Sequence, residues 1–178
     1  MSEQAESERR GGWLWGPYSG LGLAVVLATF AIDQIHKWWM IYFYDIAAKG
    51  RVAVTPFLDL VYVKNIGISY SMFNQDSIAG QYLLVAFAVL ASAVLWIWLS
   101  RAAGNRLMAA SLALIIGGAL GNALDRILLG GVADFFSAHA FGFYWYIFNL
   151  ADVAIVAGVA GLLYDSYKSS RNGAVKSG

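Results

Sequence analysis

Residues 107–126 read LMAASLALIIGGALGNALDR, an apolar run whose strongly polar side chains are gathered at its end. A helix of about 20 mostly apolar residues is long enough to cross the hydrocarbon core of a bilayer. Of the 178 residues, 60% are hydrophobic, whereas a soluble domain usually has about 45–50%. The run therefore predicts a membrane-spanning helix, and the length of the chain fits a single membrane domain over residues 1–178.

Three further apolar runs have the length of a membrane span. They cover about residues 18–40, 82–99 and 148–164. The predicted fold class is therefore an all-α membrane protein with four transmembrane helices. Asp33 and Lys37 interrupt the end of the first run and no small-x-small cleavage site follows it, so we expect a retained span rather than a cleaved signal. We interpret residues 1–12 and 168–178 as polar tails.

The segment of residues 45–81, between the first two spans, is too long and too polar for a tight turn. Residues 52–55 and 57–63 are rich in β-branched and aromatic side chains, which are typical of strands. We therefore expect a small strand-rich element outside the membrane. Residues 137–146 are rich in aromatic rings, and we expect this connection to lie at the membrane–water boundary.

The distribution of lysine and arginine predicts the orientation of the spans. Seven of these residues fall in segments that would share one side of the membrane, and three fall on the opposite side. The seven are Arg9, Arg10, Arg101, Arg106, Lys168, Arg171 and Lys176, and the three are Lys49, Arg51 and Lys64. Because short cytoplasmic segments are enriched in these residues, we expect both termini to lie in the cytoplasm.

With this orientation, the unusual polar residues all lie near the outer ends of the spans. They are Asp33, Lys37, Asn65, Asn122, Asp125, Arg126, Asp134, Asn149 and Asp152. Asn122, Asp125 and Arg126 stand at i, i+3 and i+4, so they share one face of a helix. We interpret the pairs Asp33–Lys37 and Asp125–Arg126 first as ion pairs that join helices. The pattern as a whole predicts one polar site near the outer leaflet.

Two of these acids are the candidates for chemistry. Asp134 and Asp152 have apolar neighbours and no adjacent cation in the sequence, although an ionised side chain inside a membrane costs about 2.5–3.5 kcal/mol. Two carboxylates that share a site cannot both ionise readily, so one of them keeps a proton. One can then act as a base towards water and the other as an acid towards a peptide carbonyl. The pair therefore predicts an intramembrane aspartic peptidase.

The composition excludes several other kinds of site. The chain has no cysteine, and its two histidines, His36 and His139, belong to no metal motif, so we expect neither a metal nor another cofactor. The net charge is +1 and no basic run is present, so we expect no nucleic-acid partner. Two alternatives remain open. A proton-coupled carrier would need polar groups through the depth of the membrane, and a non-catalytic scaffold would tolerate asparagine in place of both aspartates.

Five short motifs follow one another along the chain. They are Asp33-Gln34-x-x-Lys37, Asn65-Ile66-Gly67, Gly121-Asn122-x-x-Asp125-Arg126, Val132-x-Asp134-Phe135 and Phe148-Asn149-x-Ala151-Asp152. In this order, on four spans, they resemble the motifs of the bacterial lipoprotein signal peptidases (signal peptidase II). One departure is that residues 68–71 read ISYS, where the family often has Ala-Ala-Phe-Gly.

The resemblance implies a set of roles and a reaction. Asp134 and Asp152 match the catalytic pair of the family. The matching positions that line or support the site are Asn65, Asn122, Asp125, Arg126 and Asn149, and we place Asp33 and Lys37 with them. The implied substrate is a prolipoprotein, cleaved just before its diacylglyceryl-modified cysteine in the bacterial cytoplasmic (inner) membrane.

The resemblance also bears on the surroundings of the site. The segment of residues 45–81 and the aromatic connection of residues 137–146 resemble the cradle and the gating helix of the family. The expected partners are the lipid-modified prolipoprotein and membrane lipids, and we expect the protein to act as a monomer.

Overall fold

The computed structural model describes residues 14–67, 78–102 and 105–176. The predicted N-terminal tail of residues 1–12 and the departure from the family motif at residues 68–71 lie outside the described residues.

Within the described residues, four helices are long and apolar enough to cross a membrane, which is the predicted number of spans. They are α1 (Ser19–Trp38), α3 (Ile78–Ser100), α4 (Arg106–Leu129) and α5 (Leu150–Lys176). A π-helical turn, Trp39–Phe43, extends α1, and a short helix, α2 (Ile46–Lys49), follows it. The last span was expected to end near residue 164, but α5 continues as far as Lys176 and includes most of the predicted polar tail of residues 168–178.

A four-stranded antiparallel sheet accompanies the helices, with its strands in the order β1-β2-β3-β4. The strands are β1 (Val52–Thr55), β2 (Leu58–Asn65), β3 (Val132–Ala140) and β4 (Phe143–Phe148). The segment of residues 45–81 contains the two predicted strands. The other half of the sheet comes from the connection between α4 and α5, where no strand was predicted.

The resemblance implied a gating helix over residues 137–146. That expectation was wrong, because these residues belong to the β3–β4 hairpin. The turn of the hairpin is Phe141-Gly142, and φ is 52° at Phe141 and 79° at Gly142. Positive φ at both central residues is what a tight two-residue hairpin turn requires. Aromatic residues are enriched both in strands and at the membrane interface. The composition of this segment therefore did not reveal that it forms strands.

Helix α4 is the central helix of the membrane part. It packs against α1, α3 and α5. In the most apolar stretch of α4, 56% is buried, whereas the corresponding share is 22% or less in each of the other three spans. Glycines allow this close packing, because a Cβ at Gly118 would lie 2.5 Å from the carbonyl oxygen of Ala151 on α5. The C-terminal end of α4 is thereby held against the start of α5 and beside β3.

Candidate active site

The two candidate aspartates lie on different kinds of element. Asp134 is the third residue of β3, where it pairs in register with Val63 of β2, and its side chain is buried. Asp152 lies in the first turn of α5 and is partly exposed. The expectation that Asp134 would lie at the end of a helix was therefore wrong. The sheet positions one carboxylate, and the start of the last span positions the other.

Asn149 caps the start of α5 together with Asp152. The Oδ1 atom of Asn149 accepts a hydrogen bond from the backbone N–H of Asp152 at 3.0 Å, and Asp152 Oδ2 accepts one from the backbone N–H of Asn149 at 3.2 Å. This reciprocal pair has the geometry of a capping box. It fixes the Asp152 carboxylate at a helix N-terminus, where the helix dipole favours negative charge.

Side-chain amides connect the two carboxylates. Asn149 Nδ2 donates to Asp134 Oδ1 at 2.6 Å and to Asn122 Oδ1 at 3.2 Å. Asn122 Nδ2 in turn donates to Asp152 Oδ1 at 2.9 Å. The structure therefore brings Asp134, Asp152, Asn122 and Asn149 into one hydrogen-bonded network, as the sequence predicted for the outer ends of the spans.

Both aspartates border one cavity of about 120 Å³. It is lined by Asn65, Gly67, Asn122, Arg126, Val132, Asp134, Tyr146 and Asp152. Asn65 Nδ2 donates to Asp134 Oδ2 at 3.1 Å, so each oxygen of that carboxylate accepts an amide N–H. A water molecule occupies about 30 Å³ in the liquid, so the cavity has room for a reactive water beside the carboxylates.

Arg126 brings a positive charge to the cavity of Asp134 and Asp152, although neither aspartate has an adjacent cation in the sequence. It lines the cavity with both aspartates, and its Nη1 donates to the backbone oxygen of Asn122 at 3.1 Å. Within the part of the chain that the structure describes, no carboxylate forms an ion pair with it and its Nε has no hydrogen-bond partner. Asp125, its expected structural partner, pairs with Lys37 instead, at 2.7 Å.

Asp33 and Lys37 form the expected i, i+4 ion pair at 2.8 Å, and both side chains are almost fully buried. They lie behind the cavity rather than on its wall. Gln34 also belongs to this cluster, since its Nε2 donates to Asp33 Oδ2 at 3.2 Å and to Asp125 Oδ1 at 3.1 Å. Gln34 was not predicted as a site residue, although its position beside Asp33 in the first motif was an available signal.

The environment of Asp134 changes its proton affinity. Burial away from water, with a smaller contribution from the neighbouring Asp152, raises the pKa of Asp134 to about 6. Hydrogen bonds from Asn65 and Asn149 oppose this rise, because they stabilise the ionised form. A carboxyl group with such a pKa can hold or release a proton near neutral pH, as acid–base catalysis requires.

An apolar groove begins beside Asp152. It has a volume of about 480 Å³ and is lined by Tyr146, Phe148, Asp152, Val153, Val156, Ala157 and Ala160. Most of its wall is one face of α5, so it extends from the polar cavity along the membrane-spanning helix. This groove was not predicted from the sequence, because its lining combines residues of β4 and α5.

Comparison with known proteins gives a consistent result. The family described as Signal peptidase (SPase) II matches residues 25–168. The chain is 51% identical over 152 residues to a lipoprotein signal peptidase of Beijerinckia indica, covering 85% of this chain and 90% of that protein. It is 49% identical over 153 residues to one of Methylobacterium sp. strain 4-46, covering 86% and 92%.

Two solved structures have the same fold. Each is described as a bacterial membrane enzyme structure obtained by the in meso method, and each is 26% identical to this chain. The TM-scores are 0.69 and 0.68, and the matches cover 86% and 82% of this chain and 91% and 92% of the solved chains.

Proposed function

This chain belongs to the signal peptidase II family, and from that premise we propose that it is an aspartic endopeptidase whose catalytic pair is Asp134 and Asp152. As a member of the family it is a membrane peptidase that removes signal peptides from lipoproteins, and it crosses the bacterial inner membrane several times. We further propose that it cleaves just before the diacylglyceryl-modified cysteine of a prolipoprotein.

One observation carries the proposal of an aspartate pair: both carboxylates border the same cavity and belong to the same amide network. The ionised carboxylate removes a proton from a water molecule, whose oxygen attacks the carbonyl carbon of the scissile peptide bond. The protonated carboxyl group gives its proton to the carbonyl oxygen. When the tetrahedral intermediate collapses, the C–N bond breaks and the amine leaves with a proton from the pair.

The groups around the pair suit a peptide substrate. The guanidinium of Arg126 lines the cavity and forms no ion pair with a carboxylate of the described residues. Guanidinium N–H groups bind carbonyl oxygens well. We assign Arg126 to the substrate backbone. Asn65, Asn122 and Asn149 orient the carboxylates through their amide N–H groups.

The apolar groove along α5 suits the rest of a lipid-modified precursor. It starts at Asp152 and is otherwise lined by aliphatic and aromatic side chains. Apolar groups of the substrate can lie there while the scissile bond reaches the carboxylates. Because the two aspartates and the asparagines that bind them come from one chain, we propose that the monomer is active. From the distribution of lysine and arginine, we also propose that both termini lie in the cytoplasm and that the site lies near the outer leaflet.

The test is a cleavage assay with the purified protein in lipid-containing micelles. The substrate is a synthetic prolipoprotein peptide with a diacylglyceryl cysteine, and the control is the same peptide without the lipid. We expect mass spectrometry to find cleavage of the modified peptide only, at the bond before the cysteine. Cleavage at another bond, or equal cleavage of both peptides, would contradict the proposed specificity.

The pKa of Asp134 predicts a pH dependence. If Asp134 is the acid of the pair, catalysis requires its carboxyl group to be protonated. With a pKa of about 6, Asp134 loses that proton as the pH rises. We therefore expect kcat/KM to fall as the pH rises through about 6 and towards 8. Initial rates between pH 5 and pH 8.5 measure this, and a rate that increases over the same range would instead assign Asp134 as the base.

A further inference from the structure

A buried ammonium group lies behind the proposed catalytic pair. The side chain of Lys37 is only 2% exposed, and its Nζ lies 2.8 Å from Asp33 Oδ2 and 2.7 Å from Asp125 Oδ2. It also donates to Asn122 Oδ1 at 3.0 Å. An ammonium has three N–H donors and no acceptor, so these three partners use all of its donors.

Each of the two carboxylates holds a backbone N–H next to a catalytic aspartate. Asp33 Oδ1 accepts from the backbone N–H of Ala151 at 2.9 Å, and Ala151 directly precedes Asp152. Asp125 Oδ2 accepts from the backbone N–H of Ala133 at 3.1 Å, and Ala133 directly precedes Asp134. Lys37 therefore joins the two carboxylates of Asp33 and Asp125. These carboxylates in turn hold the backbone just before Asp152 at the start of α5 and just before Asp134 on β3.

The third donor of Lys37 sets the orientation of an amide. Because Lys37 can only donate, Asn122 must turn its oxygen towards Lys37. Its Nδ2 then faces Asp152, to which it donates. If this amide were reversed, an N–H group would face the ammonium and an oxygen would face the carboxylate.

Stability alone is a weak reason for this cluster. A buried ion pair loses so much hydration that well-packed apolar side chains are often as stable or more stable in its place. Lys37 does not line the catalytic cavity, so it does not touch the substrate. What the cluster does accomplish is to join α1, α4, β3 and the start of α5 at the two residues that precede the catalytic aspartates.

We propose that Lys37 is the positioning residue of the catalytic pair, and that Lys37, Asp33, Asp125 and Gln34 form a clamp that sets the separation of Asp134 and Asp152. The proposal rests on the proposed function, because it assumes that the two aspartates act together. Gln34 strengthens the clamp, since the two N–H groups of its Nε2 are shared among both carboxylates and the backbone oxygen of Gly121, all within 3.2 Å.

The first test is Lys37→Met, which keeps the length of the side chain and removes the charge and the donors. A displacement of about 1 Å in a catalytic group can cost about 100-fold in rate. We expect kcat on the lipid-modified peptide to fall by about 10- to 100-fold while KM changes by less than about threefold. A loss confined to KM would overturn the proposal.

A second variant guards against misfolding of the first. Gln34→Met removes the amide N–H groups of Gln34 from the clamp but leaves its three charged groups in place. We expect kcat to fall by about 3- to 10-fold with KM unchanged, which is the size of one net hydrogen-bond contribution. If Lys37→Met does not fold, this variant decides: a lower kcat supports the clamp, and an unchanged kcat overturns it.

Gly161→Ala is the matched control for stability. A Cβ at this position would collide with the hydroxyl of Ser111, and Gly161 lies nine residues beyond Asp152, about 14 Å along α5. We expect this variant to lower the unfolding midpoint without changing kcat below that midpoint. If kcat falls as much in Gly161→Ala as in Lys37→Met at equal stability, the positioning role is overturned.

The same assays separate the clamp from the proposed function. Unchanged kcat in both clamp variants, with inactive Asp134→Asn and Asp152→Asn, would overturn the clamp and leave the catalytic pair in place. Wild-type rates in the two aspartate variants would overturn the proposed function and the clamp together.

Discussion

Asp134→Asn and Asp152→Asn are each expected to lower kcat by about 10⁴-fold, the upper end of what acid–base catalysis contributes, because an amide can neither take a proton from water nor return one to the leaving amine. Asparagine has nearly the same shape as aspartate, so the cavity keeps its size. The measurement is single-turnover cleavage of the lipid-modified peptide by each variant in the same micelles. A scaffold whose polar side chains only join helices would instead keep its function in both variants.

The two substitutions also disturb hydrogen bonds, and a control must account for this. Each oxygen of Asp134 accepts from an asparagine amide, so the new NH₂ group must face a donor. Asp165 offers a matched case at the other end of the membrane part, since its Oδ2 accepts from Asn105 Nδ2 at 2.6 Å. We expect Asp165→Asn to lose stability but to keep wild-type kcat. Retained turnover in either catalytic variant would remove that aspartate from the proposed pair.

Hydropathy was sufficient to predict the four long apolar helices of the described residues. A long apolar run in a membrane has few alternatives to a helix, because its backbone groups must be satisfied within the segment. The i, i+4 spacing likewise predicted the Asp33–Lys37 pair. These features depend on local sequence and on the membrane, so no knowledge of distant contacts was needed.

The features that the sequence did not reveal depend on distant contacts. The predicted partner of Asp125 was its neighbour Arg126, but adjacent residues on a helix do not face each other, and the ammonium of Lys37 reaches Asp125 from α1. Asp134 was expected near the end of a span, and no strand was predicted there, but its segment pairs with β2, about 70 residues earlier in the chain. Such pairing is decided by register between strands rather than by local propensity.

Asn149→Leu is expected to lower kcat by roughly 10³-fold, second only to the loss of a catalytic aspartate. Asn149 Nδ2 donates to Asp134, and its Oδ1 caps α5 at the N–H of Asp152. Losing a hydrogen bond to a charged group costs about 1.5–3 kcal/mol, and displacement of the carboxylates adds to that loss. Steady-state kinetics on the lipid-modified peptide, together with the unfolding midpoint, measure the two effects.

A second substitution at the same position separates the two roles of Asn149. Asn149→Asp keeps an oxygen that can cap the helix, but it has no amide N–H to donate to Asp134 and it adds a negative charge beside the pair. We therefore expect this variant to keep the cap, worth about 1 kcal/mol, to lose part of that gain because its carboxylate is buried beside Asp134, and to recover little of the kcat. Wild-type kcat in Asn149→Asp would show that the bridge between Asn149 and Asp134 is not needed for catalysis.

Asn105 provides the matched control, because it caps α4 as Asn149 caps α5. Its Oδ1 accepts from the backbone N–H of Met108 at 3.0 Å, and its Nδ2 donates to Asp165. Asn105→Leu therefore removes a cap and an amide–carboxylate hydrogen bond without touching the cavity. We expect it to match Asn149→Leu in lost stability and the wild type in kcat. Both asparagines cap a helix and donate to an aspartate, but only Asn149 also donates to Asn122, so a difference in kcat at equal stability isolates the contribution of the amide network to catalysis.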